Sequence, residues 1–261
     1  MQNSNRTWAI IIGLIILVLI GVALLQRPQA SSSVSTTDTS TATSTTSHDG
    51  VTGSGDFTVS GGDTTTIDIP DFRAPIQFSQ SISADVKTAL QKSAAIVEGR
   101  LAKDSLDLKS WIDLGIVRKM GGDYKGAETA WLFVAKTAPT NPIVYNNLGD
   151  LYMNFTKEYA KSEKAYLTAI KFDPKNESIY INLYTMYANL YKKGTSAAED
   201  ILKKGIAALP DSVNLRVTLA RFYKAAGSTN AAKIQYDAAI AAANKAGQTA
   251  VATELQAEAA R

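Results

Sequence analysis

The sequence predicts an all-α chain: antiparallel helix hairpins in series, preceded by a single transmembrane helix and a disordered linker. Three observations predict it. A pattern of apolar and small residues returns four times over about 108–245, at intervals of 34, 35 and 36 residues. Residues 8–25 run for 18 positions without a charge. Between these two regions lies a stretch dominated by Ser, Thr, Gly and Asp.

The bulk composition narrows the function classes. The chain has 261 residues and no cysteine, so disulfides and thiolate metal sites are excluded. Its one histidine, His48, lies in the Ser/Thr tract, which argues against histidine-assisted hydrolysis and histidine metal sites. Net charge is +3, but residues 81–261 hold 24 basic against 18 acidic side chains, a net of +6. A modestly basic folded part tolerates anionic partners. No basic run interleaved with aromatics marks a nucleic-acid site, so none is expected. No cofactor is expected, and no phosphate loop, nucleophile–base pair or metal-ligand cluster stands in the repeat region. Glu128, Glu158, Glu163 and Glu199 fall at helix starts or on polar faces, where solvation is expected. The chain therefore reads as a non-enzyme.

Residues 1–7 form a short flank. The segment 8–25, "WAIIIGLIILVLIGVALL", spans about 27 Å as a helix, close to the hydrocarbon thickness of a bilayer. Trp8 stands where an interfacial aromatic belongs, with Arg6 before the segment and Arg27 after it. A cleaved signal peptide is the alternative. Its apolar region would be unusually long, and Pro28 occupies a position that wants a small residue for cleavage after Ala30. The expected arrangement is an uncleaved anchor with a cytoplasmic N-terminus and an extracytoplasmic remainder. A cytosol-facing arrangement is the alternative.

Residues 26–81 are assigned to a Ser/Thr/Gly-rich flexible linker. The tract "SSSVSTTDTSTATSTTSHDG" buries too little apolar surface to offset chain entropy. About 40 such residues reach on the order of 35 Å, enough to hold a domain away from a membrane. At its end, "IDIPDFRAPIQFSQ" (67–80) alternates apolar and polar residues and contains two prolines. That stretch is either an extended segment lying along the folded domain or a short irregular linker, and it is assigned to the linker.

Residues 82–261 form the folded region. In 82–103, Val86, Leu90, Ala94, Val97 and Leu101 define one helix face. Four blocks follow, beginning at Trp111, Tyr145, Tyr180 and Arg216. The first carries Trp111, Leu114, Gly115, Ala127, Trp131 and Pro139, with Arg118 at a tyrosine position. The second carries Tyr145, Leu148, Gly149, Tyr152, Tyr166 and Pro174, with Ser162 at an alanine position. The third carries Tyr180, Leu183, Tyr187, Ala198, Leu202 and Pro210, with Tyr184 at a small-residue position. The fourth carries Leu219, Ala220, Tyr223, Ala232 and Tyr236, with Arg216 read as an exposed substitution. The extra residues of blocks two and three should lengthen the turns after Met153 and Tyr191. Asp123 and Ser228 or Thr229 are candidate helix caps. Residues 248–260 should form a closing helix with Gln248, Glu254, Gln256 and Glu258 toward solvent.

This pattern resembles the tetratricopeptide repeat (TPR), and the resemblance covers the four blocks. It implies a right-handed superhelical solenoid with a concave groove lined by the first helix of each hairpin. Carried onto this chain, the groove positions are Lys109, Ile112, Asp113 and Ile116; Asn146, Asn147, Asp150 and Met153; Ile181, Asn182 and Thr185; and Val217, Thr218, Arg221 and Lys224. Asn147 and Asn182 fall at equivalent places, and an amide side chain suits a peptide bond because it both donates and accepts. Capping or solvation of the hairpin surface is the competing role. Arg221 and Lys224 lie close on one helix and offer a carboxylate receptor, against the competing reading of a solvated basic face. Ile112 stands where chaperone-binding members carry a basic residue.

Together with the apolar segment 8–25, the resemblance implies a membrane-anchored interaction scaffold or adaptor that binds a peptide or protein partner in envelope assembly, secretion or chaperoning. A structural oligomer stacking through the solenoid ends is the alternative, as is an anchored import or chaperone co-receptor.

Overall fold

The computed structural model describes residues 67–260. The apolar segment 8–25 and the Ser/Thr tract with His48 lie outside the described residues. Among the described residues, no helix is long and apolar enough to cross a membrane. All their regular structure is helical.

Helix α1 (Ala84–Leu101) starts where the Ser83 side chain accepts from the Val86 N–H. Four hairpins follow. The first joins α2 (Leu108–Gly121) to α3 (Tyr124–Thr137), the second α4 (Pro142–Asp150) to α5 (Tyr159–Phe172). The third joins α6 (Glu177–Asn189) to α7 (Ala197–Ala208), the fourth α8 (Val213–Ala225) to α9 (Thr229–Lys245). A closing helix, α10 (Thr249–Ala259), packs against α9. This is a TPR-like helical repeat.

Local chemistry sets the boundaries. Asp123 caps α3 by accepting from the Gly126 N–H at 3.0 Å. Ser228 occupies the corresponding place before α9 but makes no side-chain cap bond. Helices α3, α5 and α7 end two residues before Pro139, Pro174 and Pro210. The residue preceding each proline, Ala138, Asp173 or Leu209, has left the helical conformation, as the proline ring demands.

The extra residue of the second block is not in a longer turn. It is taken up inside the first helix, which continues from α4 as a π-helical segment, Leu151–Thr156, before Lys157 turns left-handed at φ 60. A π turn holds one residue more than an α turn, so the insertion passes without shifting the second helix of the hairpin. The third block does lengthen its turn, over residues 190–196.

Large side chains fill the space between helices. Trp111, Trp131, Tyr166, Tyr180 and Tyr236 are each at most 2% exposed. Gly115 and Gly149 let Trp131 and Tyr166 lie against the first helix. A Cβ on Gly149 would stand 2.5 Å from Tyr166 Cδ1. In the third hairpin the sizes are exchanged: the smaller Leu202 takes the aromatic's place and Tyr184 takes the glycine's.

The first motif position also has a polar role that repeats. Trp111 Nε1 donates to the Ser105 carbonyl at 2.9 Å, and Tyr145 and Tyr180 hydroxyls donate to Pro139 and Pro174 carbonyls at 3.0 and 2.9 Å. Arg216 donates from Nε and Nη2 to the Pro210 carbonyl at 3.0 and 2.8 Å. Each partner lies six residues back. Arg216 is therefore a working motif residue and not merely an exposed substitution.

Residues 71–79 correct the linker assignment. They run along the first hairpin, with Phe72 edge-on to Trp111 at 6.1 Å between centroids. Ile76 and Phe78 pack beside Leu90, Ala94 and Val117. The Ser79 N–H donates to the Gly121 carbonyl at 2.9 Å. Burial of Phe72 and Phe78 holds this stretch against the hairpin, so the flexible assignment to 81 extends too far.

Candidate functional site

The candidate binding residues stand on α2, α4, α6 and α8, the first helices of the four hairpins. Their surroundings separate them into three groups.

The charged candidates are already paired. Asp113 receives Arg100 at 2.9 Å and Lys109 at 3.0 Å. Asp150 receives Lys119 at 2.7 Å and the Asn154 amide at 2.7 Å. Arg221 engages Glu258 of α10 through two bonds, Nε to Oε1 at 2.7 Å and Nη2 to Oε2 at 2.8 Å. Lys224 donates to the Glu258 carbonyl at 3.1 Å. These contacts correct two expectations: Arg221 and Lys224 are not an open receptor, and Glu258 is not simply solvated. The guanidinium, aided by the Tyr236 hydroxyl, holds the Glu258 carboxyl down to about 2.

The apolar candidates serve two purposes. Ile112 and Ile116 pack on the core of the first hairpin, and Ile181 on that of the third, while all three stay half-buried. Met153, in the π-helical segment, is buried.

The amides remain. Asn146, Asn147 and Asn182 are half-buried. Asn146 lies one turn before Asp150 on α4, so the two share a helix face. Its Oδ1 is buried without a hydrogen-bond partner among the described residues; the buried hydroxyl of Tyr166 makes no close bond, and the Asn182 side chain stands beside it as a weak donor. Burial pushes the Tyr166 hydroxyl well above the usual tyrosine range. The Asp150 charge adds to that rise, and the neighbouring Asn182 opposes it. The junction of the second and third hairpins thus carries a donor, an acceptor and two further amide or carboxylate groups. The great majority of buried polar groups are paired, which sets Asn146 Oδ1 apart.

Sequence reasoning missed a ladder of tyrosine–glutamate bonds. The hydroxyls of Tyr152, Tyr187 and Tyr223 donate to Glu128, Glu163 and Glu199 at 2.8, 2.6 and 2.7 Å. Each links one hairpin to the next across 24 residues, a spacing visible in the sequence. These three glutamates are not free solvated carboxylates, as their helix positions implied. Glu158 pairs with Lys161. The glutamate position lies 17 residues before each of Tyr145, Tyr180 and Arg216. Counted back from Trp111 it is Ala94, and there the tyrosine is Arg118; counted back from Ala252 it is Gln235, and there the tyrosine is Ala259. Both partners change together at the two ends. The buried Gln235 Oε1 is accordingly left without a partner.

Arg118 has its own partners. It is 5% exposed, binds Asp123 Oδ2 at 2.6 Å and donates to the Ala74 carbonyl at 2.6 Å. No group of three or more metal-ligating side chains occurs among the described residues. A shallow open hollow of 380 Å³ lies along α5 beside Glu163, Lys164 and Leu167, on a second helix and apart from the candidates.

No family model matches the chain, and no curated protein matches it. Among solved structures, one of MamA is similar over 63% of this chain and 92% of its own, at 17% identity and a TM-score of 0.49. A TPR protein of Thermus thermophilus, TTC0263, is similar over 66% of this chain and 90% of its own, at 20% identity and a TM-score of 0.42. Yeast Tom70 is similar over 69% of this chain and 48% of its own, at 17% identity and a TM-score of 0.36. The helical repeat rests on the chain's own packing and not on these likenesses.

Proposed function

We propose that the chain is a protein–protein interaction scaffold that takes an extended peptide segment of a partner against α4 and α6, with residues 8–25 anchoring it in a membrane. The single observation that supports the peptide reading is the Asn146 Oδ1 without a hydrogen-bond partner on α4, on the helix face that carries Asp150. A backbone N–H of the partner is the complement of that acceptor, and the half-buried Asn147 and Asn182 amides offer both donors and acceptors for the rest of a peptide backbone. The charged candidates are bound within the chain, so recognition falls to the amides and reads backbone more than side-chain charge. Anchoring would raise the local concentration of the scaffold near a membrane partner. The scaffold reading includes no catalytic step, cofactor or nucleic acid.

The test is a cross-linking pull-down from native membranes with the full-length chain and its Asn147→Ala/Asn182→Ala variant, with Tyr166→Phe as a third arm. A partner captured by the parent and lost from the folded double variant supports the groove. Equal capture by all three sinks the reading and moves the function to another face.

A further inference from the structure

Helix α10 has the outline of a fifth first helix. It begins three residues before Ala252, as α2, α4, α6 and α8 begin three before their own first motif residues. Leu255 takes the place of Leu114, Leu148, Leu183 and Leu219. The next buried position departs. Where Val117, Leu151 and Met186 are buried, α10 carries Glu258.

The hold on α10 is uneven as a result. Its buried side chains are Ala252 and Leu255, against five on α9 beneath it. It follows Gly247, in the left-handed region at φ 71, and starts without a side-chain cap. Specific binding is concentrated at its far end. Arg221 grips the Glu258 carboxylate with two bonds, Tyr236 donates to Oε1 at 2.8 Å, and Lys224 reaches its carbonyl. A helix with little apolar burial and one charged clasp opens locally before the rest of its domain.

We propose that α10 is a built-in competitor for the C-terminal end of the binding face, latched by Glu258 and displaced as a unit by an acidic helical segment of the partner. The inference rests on the scaffold reading above. The displaced helix is the template for its rival: a small residue, a leucine and a glutamate at three-residue intervals, as in Ala252, Leu255 and Glu258. The leucine enters the apolar patch of Val217, Ala220, Tyr236 and Ala239, and the carboxylate meets the fork of Arg221.

Hydrogen exchange on the full chain tests the latch. In Glu258→Gln, amides of 249–259 should exchange about tenfold faster, the loss of one charge-assisted clasp, with α8 and α9 unchanged. A labelled synthetic peptide of sequence 249–260 is the probe for displacement. It should bind Glu258→Gln about fivefold more tightly than the parent, and bind Arg221→Gln more weakly than Glu258→Gln. Glu258→Arg, repelled by Arg221, provides a second opened variant. Equal exchange of parent and Glu258→Gln, or equal affinity for the probe, overturns the proposal. So does faster exchange spreading through α8 and α9, which would make Glu258 a structural cap. Exchange of α10 that slows with rising protein concentration assigns the site to a second copy and also overturns it. None of these readouts involves Asn147 or Asn182. Partner capture that survives the asparagine substitutions therefore removes the peptide reading alone.

Discussion

The hydroxyl of Tyr187 donates to the carboxylate of Glu163 at 2.6 Å, and Lys192 reaches the same oxygen at 2.5 Å. The bond ties the first helix of the third hairpin to the second helix of the hairpin before it. Tyr187 is 5% exposed, so its hydroxyl has little access to water as an alternative. Replacing it with phenylalanine keeps the packing and removes the bond. Tyr187→Phe should cost about 1–2 kcal/mol, measured by denaturant unfolding at neutral pH. An unchanged midpoint would show that the ladder adds nothing to stability.

The same tyrosines make the domain sensitive to alkali. Burial is the first cause that raises Tyr152, Tyr166 and Tyr187 well above the ordinary value of 10.0. A group whose folded pKa is raised contributes stability that is intact below its unfolded pKa and is lost as pH rises above it. Stability should therefore hold to about pH 10 and then fall by about 1.4 kcal/mol per pH unit for each such tyrosine. Unfolding curves between pH 9 and 11.5 check the slope, and Tyr187→Phe should flatten it.

Close approach at Gly149 gives a test of the core. A methyl group there would meet Tyr166 Cδ1 at 2.5 Å, on a side chain with no free space of its own. Gly149→Ala should destabilise by about 1–3 kcal/mol. The third hairpin already shows the compensation, pairing Tyr184 with Leu202. Adding Tyr166→Leu to Gly149→Ala should then cost less than the sum of the two single changes, a coupling that a double-mutant cycle measures.

Arg118 joins the extended segment to the first hairpin. Arg118→Leu removes one member of a buried ion pair and leaves the Asp123 carboxylate behind, at a cost of about 3–5 kcal/mol. Adding Asp123→Ser should recover part of that, because serine still caps α3 without a buried charge. Limited proteolysis should cut within 70–80 in Arg118→Leu and spare the parent. Equal protection in both would separate the segment's docking from Arg118.

Much of this architecture was legible in the repeat. Tryptophan and tyrosine at the head of each block, the leucine after them and the closing prolines all reported packing that a single period exposes. Arg118, Arg216 and Glu258 were read differently from what the structure shows, for one reason. Arg118 and Arg216 stand as departures from their own blocks and Glu258 as a solvent-facing residue of the closing helix, whereas each has a partner elsewhere: Ala74, Pro210 and Arg221 respectively. The glutamates at 128, 163 and 199 failed in the same way. Amphipathic reasoning sees one helix at a time, and their tyrosines lie in the next hairpin. Of the candidate site, the amide positions can be placed, while the burial of the Tyr166 hydroxyl beside Asn182 depends on how deeply α5 settles onto Gly149.

The docking of residues 71–79 fixes where the folded part can be pulled. Tension carried along the chain from before Pro70 arrives first at Phe72, Arg118 and the Ser79–Gly121 bond, and so at the first hairpin. In mechanical terms the segment moves the point of attack: load entering ahead of residue 70 pulls on the side of the first hairpin and not on the start of α1.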